Sequence, residues 1–125
     1  MLLNSFFNIT GVTRDETNTK FNATIELNPQ HPIYEGHFPG NPVVPGVCMQ
    51  QMVKESLGLF LGKTLLLYKA DIIKFLSVII PENNKSFKLS INIKSAEADQ
   101  LKIDSNISDE ATIFFKYTAL FKILS

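Results

Sequence analysis

This 125-residue chain has few cysteines and histidines and no net charge, and each of these features excludes some classes of function. A single cysteine excludes a disulfide within the chain, and with only two histidines it argues against a zinc site. Twelve basic residues balance twelve acidic ones, which argues against a nucleic-acid-binding surface. No apolar run approaches the length of a membrane span.

The N-terminal segment and Cys48 indicate the cellular compartment of the protein. Residues 1–8 are rich in apolar side chains but lack the positive flank and the small-residue cleavage site of a signal peptide. A lone cysteine is typical of a reducing compartment, and we expect Cys48 to be a small buried hydrophobe rather than a nucleophile. We therefore expect a cytoplasmic protein whose residues 1–125 form a single domain.

Proline and glycine are concentrated in one segment, which runs from His37 to Val47 with the sequence HFPGNPVVPGV. Its three prolines fix φ and its two glycines permit close approach or positive φ, so the backbone here is shaped. Pro45 suits the first position of a helix, which leaves the N–H groups of Gly46 and Val47 pointing out of the helix end. A histidine beside exposed amide donors combines a proton-transfer group with an anion site, which suggests chemistry on a carbonyl compound.

The apolar pattern predicts one helix and five or six long antiparallel strands. Apolar residues alternate in residues 21–27, 87–93, 101–107 and 113–123, residues 6–12 are expected to pair with the first of these segments, and residues 64–80 are β-rich. Residues 46–61 are apolar around most of a helical circumference, which predicts a buried helix. The class is α+β, and because one helix cannot cover both faces of such a sheet, we expect a two-fold dimer.

The segment from His37 to Val47 resembles the motif of the β-hydroxyacyl-[acyl carrier protein] dehydratases of fatty-acid synthesis. The resemblance implies a hotdog fold, in which a curved antiparallel sheet of five or six strands wraps one long central helix. It also implies elimination of water from a (3R)-hydroxyacyl thioester, giving a trans-2-enoyl thioester, without a cofactor. The implied partners are acyl carrier protein or acyl-CoA and a second copy of the chain.

The family roles transfer onto named positions of this chain. By resemblance, His37 is the catalytic histidine, and the N–H of Gly46, with help from Val47, donates to the thioester oxygen. The acyl chain runs along the helix at the dimer interface, so that each site takes His37 from one subunit and helix residues from the other. The positions expected to contact substrate are Phe38, Pro39, Gly40, Pro45 and Val47.

One position departs from the family pattern. The family carries Glu or Asp fourteen residues after the histidine and glutamine one turn later, whereas this chain carries Gln51 and then Glu55. An amide side chain has no proton to donate at neutral pH, so Gln51 can only hold water or the substrate hydroxyl. Three interpretations stay open: the enzyme is slow, His37 handles both protons, or Glu55 reaches back to act as the acid.

Two other functions fit the same residues. One is a non-catalytic acyl-chain-binding hotdog protein, which keeps the loop and the tunnel without turnover. The other is a hotdog thioesterase, in which water attacks the thioester carbonyl. A dehydratase predicts a carboxyl group within reach of the imidazole, and a binding module does not.

Overall fold

The computed structural model describes residues 1–36, 40, 42–83 and 86–125, which form six strands and two helices. The elements, in chain order, are β1 (Phe7–Arg14), β2 (Lys20–Leu27), α1 (Ile33–Gly36), α2 (Gly46–Leu61), β3 (Leu65–Phe75), β4 (Ser86–Glu97), β5 (Gln100–Ser108) and β6 (Ile113–Ile123). The strands form one antiparallel sheet in the order β1-β2-β4-β5-β6-β3. The α+β class with an antiparallel sheet is confirmed.

The alternating segments become strands that bury one face. In β2, Phe21, Ala23, Ile25 and Leu27 are all buried, as the period of two predicts. The weaker alternation of β5 has a simple cause, because Ser105 takes the inward position between Ile103 and Ile107. Its hydroxyl donates to the carbonyl oxygen of Ser90 at 2.7 Å, so a polar side chain is tolerated within the core.

The predicted strand over residues 64–80 ends five residues early in the structure, at Phe75. Beyond it the N–H of Leu76 donates to the carbonyl of Phe114, and the carbonyl of Ile79 accepts from the N–H of Val44 at 2.8 Å. The chain therefore leaves the sheet to pair with the segment just before α2. The apolar pattern does not predict where the strand ends, because residues 76–80 are as apolar as the strand residues before them.

β3 is an edge strand whose outer side pairs with no other described strand. Several of its apolar side chains are exposed, as are two that follow it: Leu66, Leu67, Tyr68, Ile72, Ile73, Phe75, Leu76 and Val78. We call residues 65–78 the β3 edge. Soluble proteins rarely leave such an edge open, because unpaired backbone groups and apolar side chains together favour association.

Helix α2 begins at Gly46 and ends at Leu61, as predicted, with Pro45 as its N-cap rather than its first residue. Gly62 closes the helix in the left-handed region, at φ 63°, and its N–H bonds back to the last turn. One side of the helix is packed into the core by Cys48, Met49, Met52, Val53, Ser56, Leu57 and Phe60. The other side is open in the single chain, since Val47 is 70% and Leu59 56% exposed.

Within the described ranges, no helix combines the length and the apolar character needed to cross a membrane. Among the same residues, no group of three or more His, Cys, Asp or Glu side chains is placed to hold a metal ion.

Candidate functional site

The expected site residues fall into three groups. His37, Phe38 and Pro39 lie outside the described residues, so their roles stay predictions. Gly40 is exposed with φ +87°, a conformation that favours glycine and agrees with a shaped loop. The remaining set, Pro45, Gly46, Val47, Gln51 and Glu55, lies at the start of α2 and on its following turns.

The start of α2 presents backbone donors. Pro45 has an extended ψ of 145°, and its carbonyl accepts from the N–H of Cys48 and Met49. No described residue accepts a hydrogen bond from the N–H of Gly46 or Val47. Within the described part of the chain these two donors are therefore unpaired, at the helix end where the dipole favours negative charge.

Phe75 explains why glycine is required at position 46. A Cβ added to Gly46 would lie 2.6 Å from Cζ of Phe75 and 2.8 Å from its Cε1. The ring stacks in turn on Phe115, with centroids 5.3 Å apart. The last residue of β3 thus places the edge of its aromatic ring against the helix start at Gly46. Sequence reasoning missed Phe75, because the contact joins residues far apart in the chain.

Gln51 and Glu55 form the hydrogen bond that their four-residue spacing permits. Nε2 of Gln51 donates to Oε2 of Glu55 at 2.8 Å. Glu55 is buried, whereas Gln51 is half-buried and faces the open side of the helix. The sequence places both residues on one stripe, and the structure brings them into contact.

Backbone amides at the N-terminus also bind Glu55. The N–H of Leu2 lies 2.9 Å from both carboxylate oxygens, and the N–H of Leu3 lies 2.9 Å from Oε1. Every contact comes from an N–H donor, so the carboxyl group acts here as an acceptor that fastens residues 2–3 to the helix. Sequence reasoning missed these partners because a backbone N–H carries no side-chain signal.

Two clefts flank the helix start. One, of about 370 Å³, is lined by Met1, Leu2, Val47, Cys48, Gln51 and Glu55. The other, of about 430 Å³, is largely apolar and runs past residues 43–46, Met49 and residues 75–78. Val47 and Gln51 border the first and Gly46 the second, so a ligand at the helix start has a polar side and an apolar side.

Cys48 and Tyr34 lie buried beneath this site. Burial raises the pKa of the Cys48 thiol, which disfavours the thiolate that a nucleophile needs. Burial, with a smaller contribution from Cys48, also raises the pKa of Tyr34 well above its ordinary value. The Tyr34 hydroxyl is buried and has no hydrogen-bond partner among the described residues.

The chain combines a six-stranded antiparallel sheet with the helix Gly46–Leu61, and a solved structure supports the hotdog class of fold. The dehydratase heterocomplex ApeI:P from Xenorhabdus doucetiae superposes with a TM-score of 0.72 at 17% identity, over 91% of this chain and 96% of that chain. Residues 13–116 match the family model of the ApeI-like dehydratases. The chain therefore belongs to the ApeI-like dehydratase family.

Curated relatives are also similar to this chain, at low sequence identity. The 3-hydroxyacyl-[acyl-carrier-protein] dehydratase FabZ of Rickettsia bellii is 25% identical over 125 residues, which cover 94% of this chain and 86% of the relative. FabZ of Lactobacillus helveticus is 26% identical over 84 residues, or 62% of this chain and 57% of the relative's own length. The resemblance inferred from the His37–Val47 motif is thus confirmed at the level of the family.

Proposed function

We propose that this protein eliminates water from (3R)-3-hydroxyacyl thioesters to give trans-2-enoyl thioesters. The observation that carries the proposal is the start of α2, where the N–H groups of Gly46 and Val47 have no acceptor among the described residues and Gly46 borders an apolar cleft. Removing the proton at C2 places negative charge on the thioester oxygen, and fixed amide donors stabilise that charge. Membership of a dehydratase family supports the same chemistry.

We assign both proton transfers to His37. Its imidazole takes the proton from C2, the electrons of that C–H bond form the C2–C3 double bond, and the C3–O bond breaks. The imidazole then returns the proton to the departing hydroxyl, which leaves as water. Histidine is the side chain whose unperturbed pKa, about 6.5, lies closest to neutrality, so it is the usual choice for taking up a proton in one step and releasing it in the next. Gln51 holds the hydroxyl in place. Glu55 is given no part in the proton transfers, because its carboxylate accepts hydrogen bonds from the N–H groups of Leu2 and Leu3.

The substrate-contacting residues follow from this placement. Val47 and Pro45 border the clefts on either side of the helix start. Phe38, Pro39 and Gly40, which precede the helix in the sequence, are proposed to cover the acyl chain. The chain carrier is acyl carrier protein or CoA, and the proposed compartment is the cytoplasm, where both occur.

We further propose that two copies pair through the β3 edge. Antiparallel pairing of two β3 strands satisfies the open backbone groups and covers the exposed apolar side chains there. It also encloses the side of α2 that carries Val47, so that the helix becomes central to a continuous sheet. The acyl chain then lies between the two copies.

A non-catalytic acyl-binding chain is the second candidate, and Gln51 is the observation that favours it. The acid of the family pattern is replaced by an amide, and Glu55 is engaged by N–H donors. Such a chain would be inactive alone, and a different hotdog chain that pairs at the β3 edge could supply the missing carboxyl group. The similar Xenorhabdus protein is part of a heterocomplex, which supports this pairing as an alternative to two identical copies.

A turnover assay with short- and medium-chain 3-hydroxyacyl thioesters separates the candidates. For the dehydratase, the purified chain alone forms enoyl product and His37→Ala abolishes it. For the binding module, the wild type is inactive and Gln51→Glu creates activity, since general acid–base assistance contributes about 10²–10⁴-fold. Release of free thiol in place of enoyl product would identify a thioesterase and overturn both.

A further inference from the structure

We propose that Glu55 is a positioning residue that fixes the Gln51 side-chain amide with its oxygen toward the ligand, so that the site selects a 3-hydroxyacyl over a 3-oxoacyl group. The inference rests on the proposed function, because it assumes an acyl thioester at the start of α2. It adds a specificity that neither the family match nor the Gly46 donors supply.

The first step is the immobility of the Glu55 carboxylate. Leu2 N–H bridges both of its oxygens and Leu3 N–H binds Oε1, all at 2.9 Å. The side chain is also buried, at 9% exposure, so it has little freedom to rotate. The position of Oε2 is therefore set by the N-terminal backbone before any ligand arrives.

The second step is the direction of the hydrogen bond between Gln51 and Glu55. A carboxylate only accepts hydrogen bonds, so the Gln51 amide must turn its NH₂ group toward Oε2. Oxygen and nitrogen lie on opposite sides of a planar amide carbon. Oε1 of Gln51 thus points away from Glu55, and no described residue donates a hydrogen bond to it.

The third step is the match to the ligand. Gln51 borders the cleft that also contains Val47, at the helix start where the thioester oxygen is proposed to bind. A hydroxyl at C3 can donate to an outward-facing amide oxygen, whereas a ketone at C3 has no hydrogen to donate. The ketone also leaves the half-buried acceptor unpaired and adds repulsion between two oxygens. The chemistry at Gln51 therefore favours the 3-hydroxyacyl group.

The test measures binding of three pantetheine amides, which replace the thioester and are not turned over readily: octanoyl, (3R)-3-hydroxyoctanoyl and 3-oxooctanoyl. By titration calorimetry, the wild type is expected to bind the hydroxy analogue about tenfold more tightly than the oxo analogue. In Glu55→Gln the new side-chain oxygen is expected to accept from the N–H groups of Leu2 and Leu3, which turns its NH₂ group toward Gln51 and reverses the Gln51 amide. The preference for the hydroxy analogue is therefore expected to disappear or reverse while octanoyl binding is kept.

Two further variants keep the test independent of folding. Gln51→Met removes both ends of the amide and is expected to lose the same preference. Glu26→Gln makes the same chemical change at an exposed position of β2 and is expected to retain it. An unchanged preference in Glu55→Gln overturns the inference alone, as does equal binding of both analogues to the wild type. Failure of the wild type to bind any of the three overturns the proposed function as well.

Discussion

At the scale of single residues, Glu55 shows how a sequence position acquires a different meaning from its contacts. Its spacing from Gln51 left open whether Glu55 reaches back to act as the acid. In the structure its oxygens receive hydrogen bonds from Leu2, Leu3 and Gln51, which joins the N-terminal segment to the middle of α2. Its role as an acid stays a prediction, and its role as an anchor for residues 2–3 is what the contacts describe.

Glu55→Ala is expected to lower the free energy of unfolding by about 2 kcal/mol, since hydrogen bonds to a charged group are lost and donors are left unpaired. Urea denaturation followed by circular dichroism measures the change. Glu26→Ala, on the exposed face of β2, is the matched control and is expected to change stability by under ~0.5 kcal/mol. Equal losses in the two variants would contradict the anchoring role.

Gly46→Ala is expected to displace the Phe75 ring, because the new methyl group meets it at 2.6 Å. The expected cost is about 1 kcal/mol of stability, typical of mild overpacking, together with reduced acyl binding. Gly11→Ala is the control, since a Cβ at Gly11 meets nothing within 4 Å. If Phe75→Leu does not weaken the effect of Gly46→Ala in a double-mutant cycle, the steric explanation is wrong.

At the scale of elements, the alternating segments and the helix were predictable from sequence, because each is long and strongly periodic. The helix start and end followed from Pro45 and Gly62, whose backbone preferences are local. What could not be predicted is the contact between distant elements: Phe75 over Gly46, the exit of the chain after β3, and the amides of Leu2 and Leu3. These depend on tertiary packing, which no local pattern encodes.

The turn between β1 and β2 depends on Asp15, whose carboxylate accepts from the N–H of Thr19 and Lys20 and from the hydroxyls of Thr17 and Thr19. The backbone hydrogen bond from Thr19 is the largest cause of a pKa lowered from 3.8 to about 2. A lowered pKa means that the folded state favours the carboxylate. The turn's contribution to stability is therefore present above pH 3.8 and is lost as pH falls toward 2.

Asp15→Asn is accordingly expected to be less stable than the wild type above about pH 4, with the gap closing as the pH is lowered to about 2. Thermal unfolding at a series of pH values measures the gap, and an NMR titration of the Asp15 carboxyl carbon gives the pKa directly. A gap that stays constant over this range would show that the carboxylate does not stabilise the turn.

At the scale of the whole molecule, the two edges of the sheet differ, because the β3 edge is apolar and exposed. The opposite edge of the sheet, β1, carries alternating polar residues and a register shift near Gly11, both of which discourage pairing with another chain. The β3 edge instead presents apolar side chains next to the open side of α2, where Leu66 and Leu67 share a cleft with Val47 and Gln51. A partner there would change both the assembly and the site.

The proposed pairing predicts a dimer by light scattering after size-exclusion chromatography. Tyr68→Lys places a charge on the exposed middle of β3 and is expected to shift the chain toward monomer and lower acyl binding with it. Val12→Lys, at an exposed apolar position on the β1 edge, is expected to leave the dimer intact. A monomeric wild type would contradict pairing of identical copies and direct attention to a second hotdog chain.

The most direct measurement is mass spectrometry of a (3R)-3-hydroxyoctanoyl carrier thioester incubated with the purified chain. We predict loss of one water from the acyl group with the thioester intact, and no loss with His37→Ala of unchanged fold and assembly. An acyl group that keeps its full mass with the wild type, or one that is cut from its carrier, would contradict the assignment of this chain as a dehydratase.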